Sequence, residues 1–341
     1  MSYMAVTMKD IAADLGLSVV TISKVLRNHP DIAETTRERV LKRIKEVDYQ
    51  PNIMARSLVT GRSYLIGLVV PDLLHPFFAE MAKALSAAVG ARGYSVIISS
   101  SEEDPELEAR EIQQLTGRCL DALVIASASS DPEPFLRLDR LEVPYILIDR
   151  ELPGLSANFV GINDEAAGRI ATEHLIEQGC RTIAHIRGRA NSTGMKRFEG
   201  YRRALKTAGL AYSDSLVVAS SNVDVNSERL GADAMRLLLK RDPAPDGVFA
   251  HNDPLAFGAM QTILEAGLRI PEDIAIVGCA NLHYDSLLKV PLSSIDQNSQ
   301  AIGERCAEIL LSTLESKTKP PLKSVILEPF LVARASSLRR H

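Results

Sequence analysis

From Tyr64 onward the chain alternates two kinds of segment, and that alternation restricts its fold more than any other feature. Short β-branched runs, YLIGLVV, YSVIISS, DALVIAS, PYILID and NFVGI, are separated by stretches such as PFFAEMAKALSAAVGARG and PELEAREIQQLTGR, whose apolar residues recur at helical spacing. Strand–helix–strand repetition calls for parallel sheets covered by helices. A second series follows in RTIAHIRG, DGVFAHND and DIAIVGCAN, with helices expected around 164–179, 193–208, 226–241 and 252–267. The expectation is an α/β body of two doubly wound parallel-sheet lobes. Ligands of open α/β sheets bind beyond the carboxyl ends of the strands, and a pocket between two such lobes can close on a small polar molecule.

The residues just after those strand ends are polar. SSSEED, IASASS, IDRELPG and AHNDP place Ser100, Ser127, Asp149, Arg150, Asn252 and Asp253 at the cleft, and KRFEGY places Arg197 at a helix start. Each taken alone also reads as a helix cap. Taken together, carboxylate, amide and guanidinium groups around Phe77 or Phe78 offer hydrogen bonds to hydroxyls and an apolar face for stacking, which is what a carbohydrate-like ligand needs.

The first sixty residues differ in kind. In TMKDIAADLGL, Thr7 is an N-cap with Asp10 three residues on, Met8, Ile11, Ala12 and Leu15 are the apolar positions, and Gly16 is the stop. SVVTISKVLRN follows at once, with Ser18 as N-cap and Val19, Ile22, Val25 and Leu26 at helical spacing. In ETTRERVLKRIKEVDY, Thr35 and Glu38 suggest a capping box, with Val40, Leu41, Ile44 and Val47 as the buried stripe. Two short helices joined by a tight turn containing glycine are a helix-turn-helix signature, and the second presents Thr21, Ser23 and Lys24. The spacing alone also fits a small three-helix bundle that binds protein or nothing. Charge is divided in the same way. Residues 1–63 hold ten Lys and Arg against seven Asp and Glu, and the remainder has a deficit of seven, for −4 overall. A basic head on an acidic body is compatible with nucleic-acid binding.

MKDIAADLGLSVVTISKVLRN, TRERVLKRIKEVDYQPN and ARSLVTGRSYLIGLVVPD closely resemble the head, third helix and hinge of the lactose repressor family of bacterial transcription regulators, over about residues 6–335. The body by itself is similar to periplasmic sugar-binding proteins. The resemblance implies a helix-turn-helix domain over 1–51, a hinge helix and linker over 52–63, and an effector-binding and dimerisation domain over 64–341. Its lobes would span about 64–163 plus 296–326, and 164–295 plus 327–341. NIMARSLVTG, after Pro51, is too short to hold a helix alone. The resemblance implies a hinge helix that folds on DNA and pushes Leu58 into the minor groove. A plain linker whose Leu58 packs on the body is the alternative. Val19 and Val20 match the positions that vary with operator sequence, and Thr7, Ser18, Thr21, Ser23, Lys24, Asn28, Thr36 and Ala55 complete the implied DNA-binding set. The family usually has Arg where Lys24 stands and Asn where Arg27 stands, which puts a bidentate guanine contact in doubt. Asp149, Arg197, Asn252 and Gln297 match its effector contacts. Where the family has an acidic G-F-D-D, this chain reads GCAN, so Ala280 replaces a carboxylate and Asn281 becomes the candidate contact for a substituted or acidic ligand.

These features imply a cytoplasmic, ligand-responsive regulator that binds a palindromic double-stranded operator as a homodimer under a small polar effector. A small-molecule-binding protein and an α/β enzyme acting on a sugar-like ligand are the alternatives. The sequence contains no G-x-S-x-G elbow, P-loop, G-x-G-x-x-G or metal-ligand cluster, so neither a catalytic residue nor a cofactor or metal is expected. Cys119, Cys180, Cys279 and Cys306 lack C-x-x-C spacing and read as reduced thiols. No apolar stretch reaches spanning length, so no membrane partner is expected. FLVARASSLRRH carries no leucine heptads for a further bundle.

Overall fold

Three short helices make the head: α1 (Met8–Leu15), α2 (Val19–Leu26) and α3 (Glu34–Glu46). The computed structural model describes residues 6–26, 29–49, 61–220 and 223–339, so the expected hinge helix with Ala55 and Leu58, and also Asn28, lie outside the described residues. Thr7 caps α1 through a capping box. Its hydroxyl accepts the Asp10 N–H while the Asp10 carboxylate accepts the Thr7 N–H at 2.8 Å, and Gly16 ends the helix in the left-handed region. Ile11, Ala12, Ile22, Val25, Val40 and Tyr49 form the head's core. Two expectations for α3 need correction. The helix starts two residues earlier, after Ala33, whose carbonyl accepts the Thr36 and Arg37 N–H groups without a side-chain cap, so there is no Thr35–Glu38 box. Leu41 is 48 % exposed, because the buried stripe of α3 runs through Val40, Ile44 and Val47.

The chain divides between Ser63 and Tyr64 into two compact units, the second being the body. Its first sheet has the order β11-β5-β4-β3-β1-β2, from β1 (Leu65–Val70), β2 (Ser95–Ser100), β3 (Ala122–Ile125), β4 (Tyr145–Ile148), β5 (Asn158–Ile162) and β11 (Ser324–Leu327). All of its pairings are parallel. The second sheet, β12-β10-β9-β8-β6-β7, joins β6 (Ile183–Arg187), β7 (Val217–Ala219), β8 (Gly247–Ala250), β9 (Ala275–Ala280), β10 (Ser293–Asp296) and β12 (Phe330–Val332). Here β12 runs antiparallel to β10. The inner strands are nearly continuous apolar runs such as Ala122–Ile125 and Gly247–Ala250, buried throughout because helices cover both faces.

The helices place the strand ends. In the first lobe they are α4 (Pro76–Gly90), α5 (Pro105–Gly117), α6 (Glu133–Arg140) and α11 (Ser299–Glu315). In the second they are α7 (Asp164–Glu177), α8 (Ser192–Thr207), α9 (Ser227–Leu238) and α10 (Asp253–Glu265). Both lobes therefore direct the carboxyl ends of their central strands toward one cleft. The α7–α8 contact depends on Gly168, where an added Cβ would stand 2.0 Å from the Arg197 carbonyl oxygen. That approach brings Arg197 against Asp164, the first residue of α7. Among the described residues, no helix is long and apolar enough to cross a membrane.

Candidate nucleic-acid interface and ligand cleft

On the head, the N-terminal end of α2 faces outward. Val19 is 37 % and Val20 63 % exposed, while Ile22 and Val25 from the same helix are core. The Ser18 hydroxyl accepts the Thr21 N–H at 3.0 Å and shares a 2.9 Å hydrogen bond with the Thr21 hydroxyl, fixing the entry of the helix. Lys24, in the last turn, is held by Asp31 at 2.5 Å, and Asp31 also meets His29 at 2.5 Å. Both partners are largely exposed, so this pair adds little stability and yields readily to a phosphate. Ser23 and Thr36 lie on α2 and α3, half-buried. An apolar, exposed α2 tip beside hydroxyls and a loosely held cation can enter a major groove, with contact to thymine methyls as its means of selection.

In the body, Arg197 is 2 % exposed and reaches three partners: the Asp164 carboxylate at 2.8 Å, the His251 carbonyl at 2.8 Å and the Gln297 side-chain oxygen at 3.1 Å. Asp149 lies 4.0 Å from it and 3.6 Å from Arg150. Arg150, just after β4, donates to the Ser127 carbonyl at 3.2 Å and faces Glu103 at 3.5 Å. It also crosses the cleft to Asp224 on the second lobe. Glu103 crosses the same way, its carboxylate accepting the Val223 N–H at 2.8 Å and the Asp224 N–H at 3.2 Å. Asn252 caps α10 by accepting the Leu255 N–H, and its amide donates to the Val223 carbonyl at 2.7 Å and to His75 at 3.3 Å. The lobes are thus drawn together by buried charged and polar groups. Burial raises the pKa of Glu103 and Asp224, and lifts Asp164 to about 6 against the pull of Arg197. Burial likewise pushes His75 down to about 4 and His251 well below the usual histidine range, so both rings are neutral.

Several expected contacts have other roles. Phe77 and Phe78 are buried in the first lobe's core, edge-on to each other and to His75, and offer no open face for stacking. Ser100 bonds Glu102 at 2.5 Å, and Ser127 bonds the buried Glu108 at 2.6 Å. Asp253 accepts from Ser294 at 2.6 Å and from the Leu282 N–H at 3.2 Å. Asn281 donates to Asp296 at 2.7 Å and accepts from Arg334 at 2.6 Å. Both serve the joint between β9 and β10, which removes the argument from Asn281 for an acidic ligand. Sequence reasoning missed His75, Glu103, Asp164, Asp224 and His251. The motif SSSEED was noted for its serine, and Asp164 and His251 also follow strand ends, but the partners of Glu103 lie about 120 residues away.

Asp253 also stands beside the buried Asp285, whose carboxyl oxygens lack a hydrogen-bond partner within normal reach and face Arg334 at 3.7 Å. Burial and then the neighbouring Asp253 lift Asp285 to about 9, while burial lifts Asp253 to about 6 against the hydrogen bonds it accepts from Ser294 and the Leu282 N–H and the pull of the Asp285 carboxyl, so the pair holds a proton at neutral pH. The folded state then keeps a proton that the unfolded chain releases above about pH 4, and stability falls as pH rises toward about 9. Asp285→Asn supplies an N–H donor to Asp253 without a proton and should flatten that decline. Urea midpoints between about pH 5 and about pH 9 measure it, and an unchanged slope would remove the proton from the pair.

Residues 7–52 match the model for bacterial regulatory proteins of the lacI family, and residues 172–337 match a periplasmic binding protein-like domain. The ribose operon repressor of Halalkalibacterium halodurans is 32 % identical over 312 residues, 91 % of either chain. The chain belongs to the lacI family. Another relative, the HTH-type transcriptional regulator CelR of Thermobifida fusca, is 33 % identical over 338 residues, 97 % of this chain and 98 % of that one. A solved CelR–cellobiose complex superposes with a TM-score of 0.73 at 30 % identity, covering 97 % of this chain and 99 % of that one. The lacI-family order, helix-turn-helix first and two α/β lobes after, is the order found here, and these relatives are named as regulators and repressors.

Proposed function

We propose that this lacI-family protein is a cytoplasmic transcription repressor that binds a palindromic double-stranded operator as a homodimer and responds to a small sugar-like effector held between its lobes. The observation that carries the reading is the buried network in which Glu103 and Arg150 of one lobe grip Val223 and Asp224 of the other. A ligand bound among these groups changes how the lobes close, and differential affinity for open and closed forms is what allosteric control requires. Asp149, Arg150, Arg197, Asn252 and Gln297 are the effector contacts in this reading. The α2 tip with Val19, Val20 and Thr21 reads the major groove, while Thr7, Ser18, Ser23, Lys24, Asn28 and Thr36 position the head and Ala55 and Leu58 act in the minor groove. Relatives named for ribose and cellobiose support a sugar as effector. One head reads too few base pairs for specificity, so two-fold pairing is the expected arrangement. The apolar groove of about 320 Å³ lined by Val70, Leu73, Phe78, Ala82 and Ile98, near the 87 % exposed Leu74, supports a second copy as its cover.

Operator titration tests the reading at the head. Lys24→Ala should weaken binding several-fold on every duplex alike and lower the salt slope by about one, as expected for the loss of a phosphate contact. Gel shifts at several salt concentrations give both quantities, and wild-type affinity throughout would place Lys24 outside the interface.

A further inference from the structure

The charges and open hydrogen-bonding positions of the cleft narrow what it can hold, on the reading that it is the effector site. The guanidinium groups of Arg150, Arg189 and Arg197 there each already face carboxyl groups. Arg150 faces Glu103, Asp224 and Asp149, and Arg197 faces Asp164 and Asp149. Arg189 lies 3.8 Å from the Glu103 carboxylate and donates to the Glu103 carbonyl at 3.1 Å. Four carboxyl groups thus stand against three guanidiniums in these ion pairs. The adjacent backbone N–H groups of Val223 and Asp224 are both taken by Glu103. The neutral rings of His75 and His251 add no positive charge.

The unfilled positions carry the other half of the inference. His75 Nδ1, Arg150 Nε and His251 Nδ1 are buried without a hydrogen-bond partner. His75 Nε2 accepts from the Asn252 amide, so its proton sits on Nδ1 and that atom is a donor, as Arg150 Nε is. Asp149 supplies the complementary acceptor. Its carboxylate meets Arg150 and Arg197 only at 3.6 and 4.0 Å, outside hydrogen-bond reach. Donors and an acceptor gathered in one buried place are satisfied by hydroxyl groups, which give and receive. A carboxylate or phosphate group offers acceptors alone, and here it would bury an unpaired negative charge among four carboxyl groups.

We infer that the effector is a polyhydroxy compound without negative charge, an uncharged or amino sugar, and that sugar acids and sugar phosphates are excluded. His75, Arg150 and Asp149 are the residues that discriminate. The test is a thermal-shift and calorimetric comparison on the full chain with matched sets: D-ribose, D-ribonate and D-ribose 5-phosphate; D-glucose, D-glucosamine, D-gluconate and D-glucose 6-phosphate; and cellobiose. An uncharged or amino member should raise the melting temperature, with its acid and phosphate counterparts binding at least tenfold more weakly. A second arm uses Glu103→Gln combined with Asp224→Asn, which frees Arg150 and Arg189 from their acidic partners. Provided it retains a cooperative melting transition, this variant should close that tenfold gap. An acid or phosphate that binds wild type as tightly as its neutral parent overturns the inference and leaves the regulator reading standing. Silence from the whole panel also overturns it, and operator titration then judges the regulator reading separately.

Discussion

Arg197→Ala should cost the body on the order of 3–5 kcal/mol, because it leaves the buried Asp164 without its cation and the His251 carbonyl and Gln297 without a donor. The sequence alone offers Arg197 only as an effector contact at a helix start. The structure shows a guanidinium that joins α7, α8 and the segments after β8 and β10, so fold and site fail together. Arg197→Lys separates the two effects, since a lysine keeps the charge beside Asp164 but cannot span all three partners. Urea midpoints should fall strongly for the alanine variant and modestly for lysine, with ligand response lost in both. An alanine variant with the wild-type midpoint would show that Asp164 is not held by this pair.

Leu58→Ala should weaken operator binding at least tenfold, about 1.4 kcal/mol, while leaving the melting temperature of the free protein unchanged. A segment too short to fold alone takes its order from the surface it meets, so a Leu58 wedge would contribute only in the complex. Gel-shift titration beside a melting curve distinguishes this from the linker alternative. If Leu58 packs on the body instead, the melting temperature drops and operator affinity stays.

The parts of the fold that were legible are those where one physical rule governs a continuous stretch. LIGLVV and GVFA read as buried strands because both faces are covered, and Thr7 with Asp10 read as a capping box because cap and partner lie three residues apart. The short strands Val217–Ala219, Ser293–Asp296 and Phe330–Val332 were not singled out, since three or four residues carry too little pattern. The cleft was legible in its positions more than in its contacts. Asp149, Arg150, Arg197, Asn252 and Gln297 do come together, because strand ends converge by topology. The bonds from Glu103 to Val223 and Asp224 depend on how two lobes meet, and Glu103 enters the cleft from a left-handed backbone position with φ of 55°. Asp253 and Asn281 bond within the second lobe, because a polar residue after a strand serves a neighbouring loop as readily as a ligand.

Coupling between cleft and operator is the central claim, and one titration measures it. A palindromic duplex selected from a random pool by the full chain would be titrated with protein, with and without a saturating amount of whichever panel sugar raises the melting temperature. Operator affinity should change by about 5- to 150-fold, and sugar affinity by the same factor on operator-bound protein, since coupling between two sites is reciprocal. Equal operator affinity with and without a bound sugar would contradict the account.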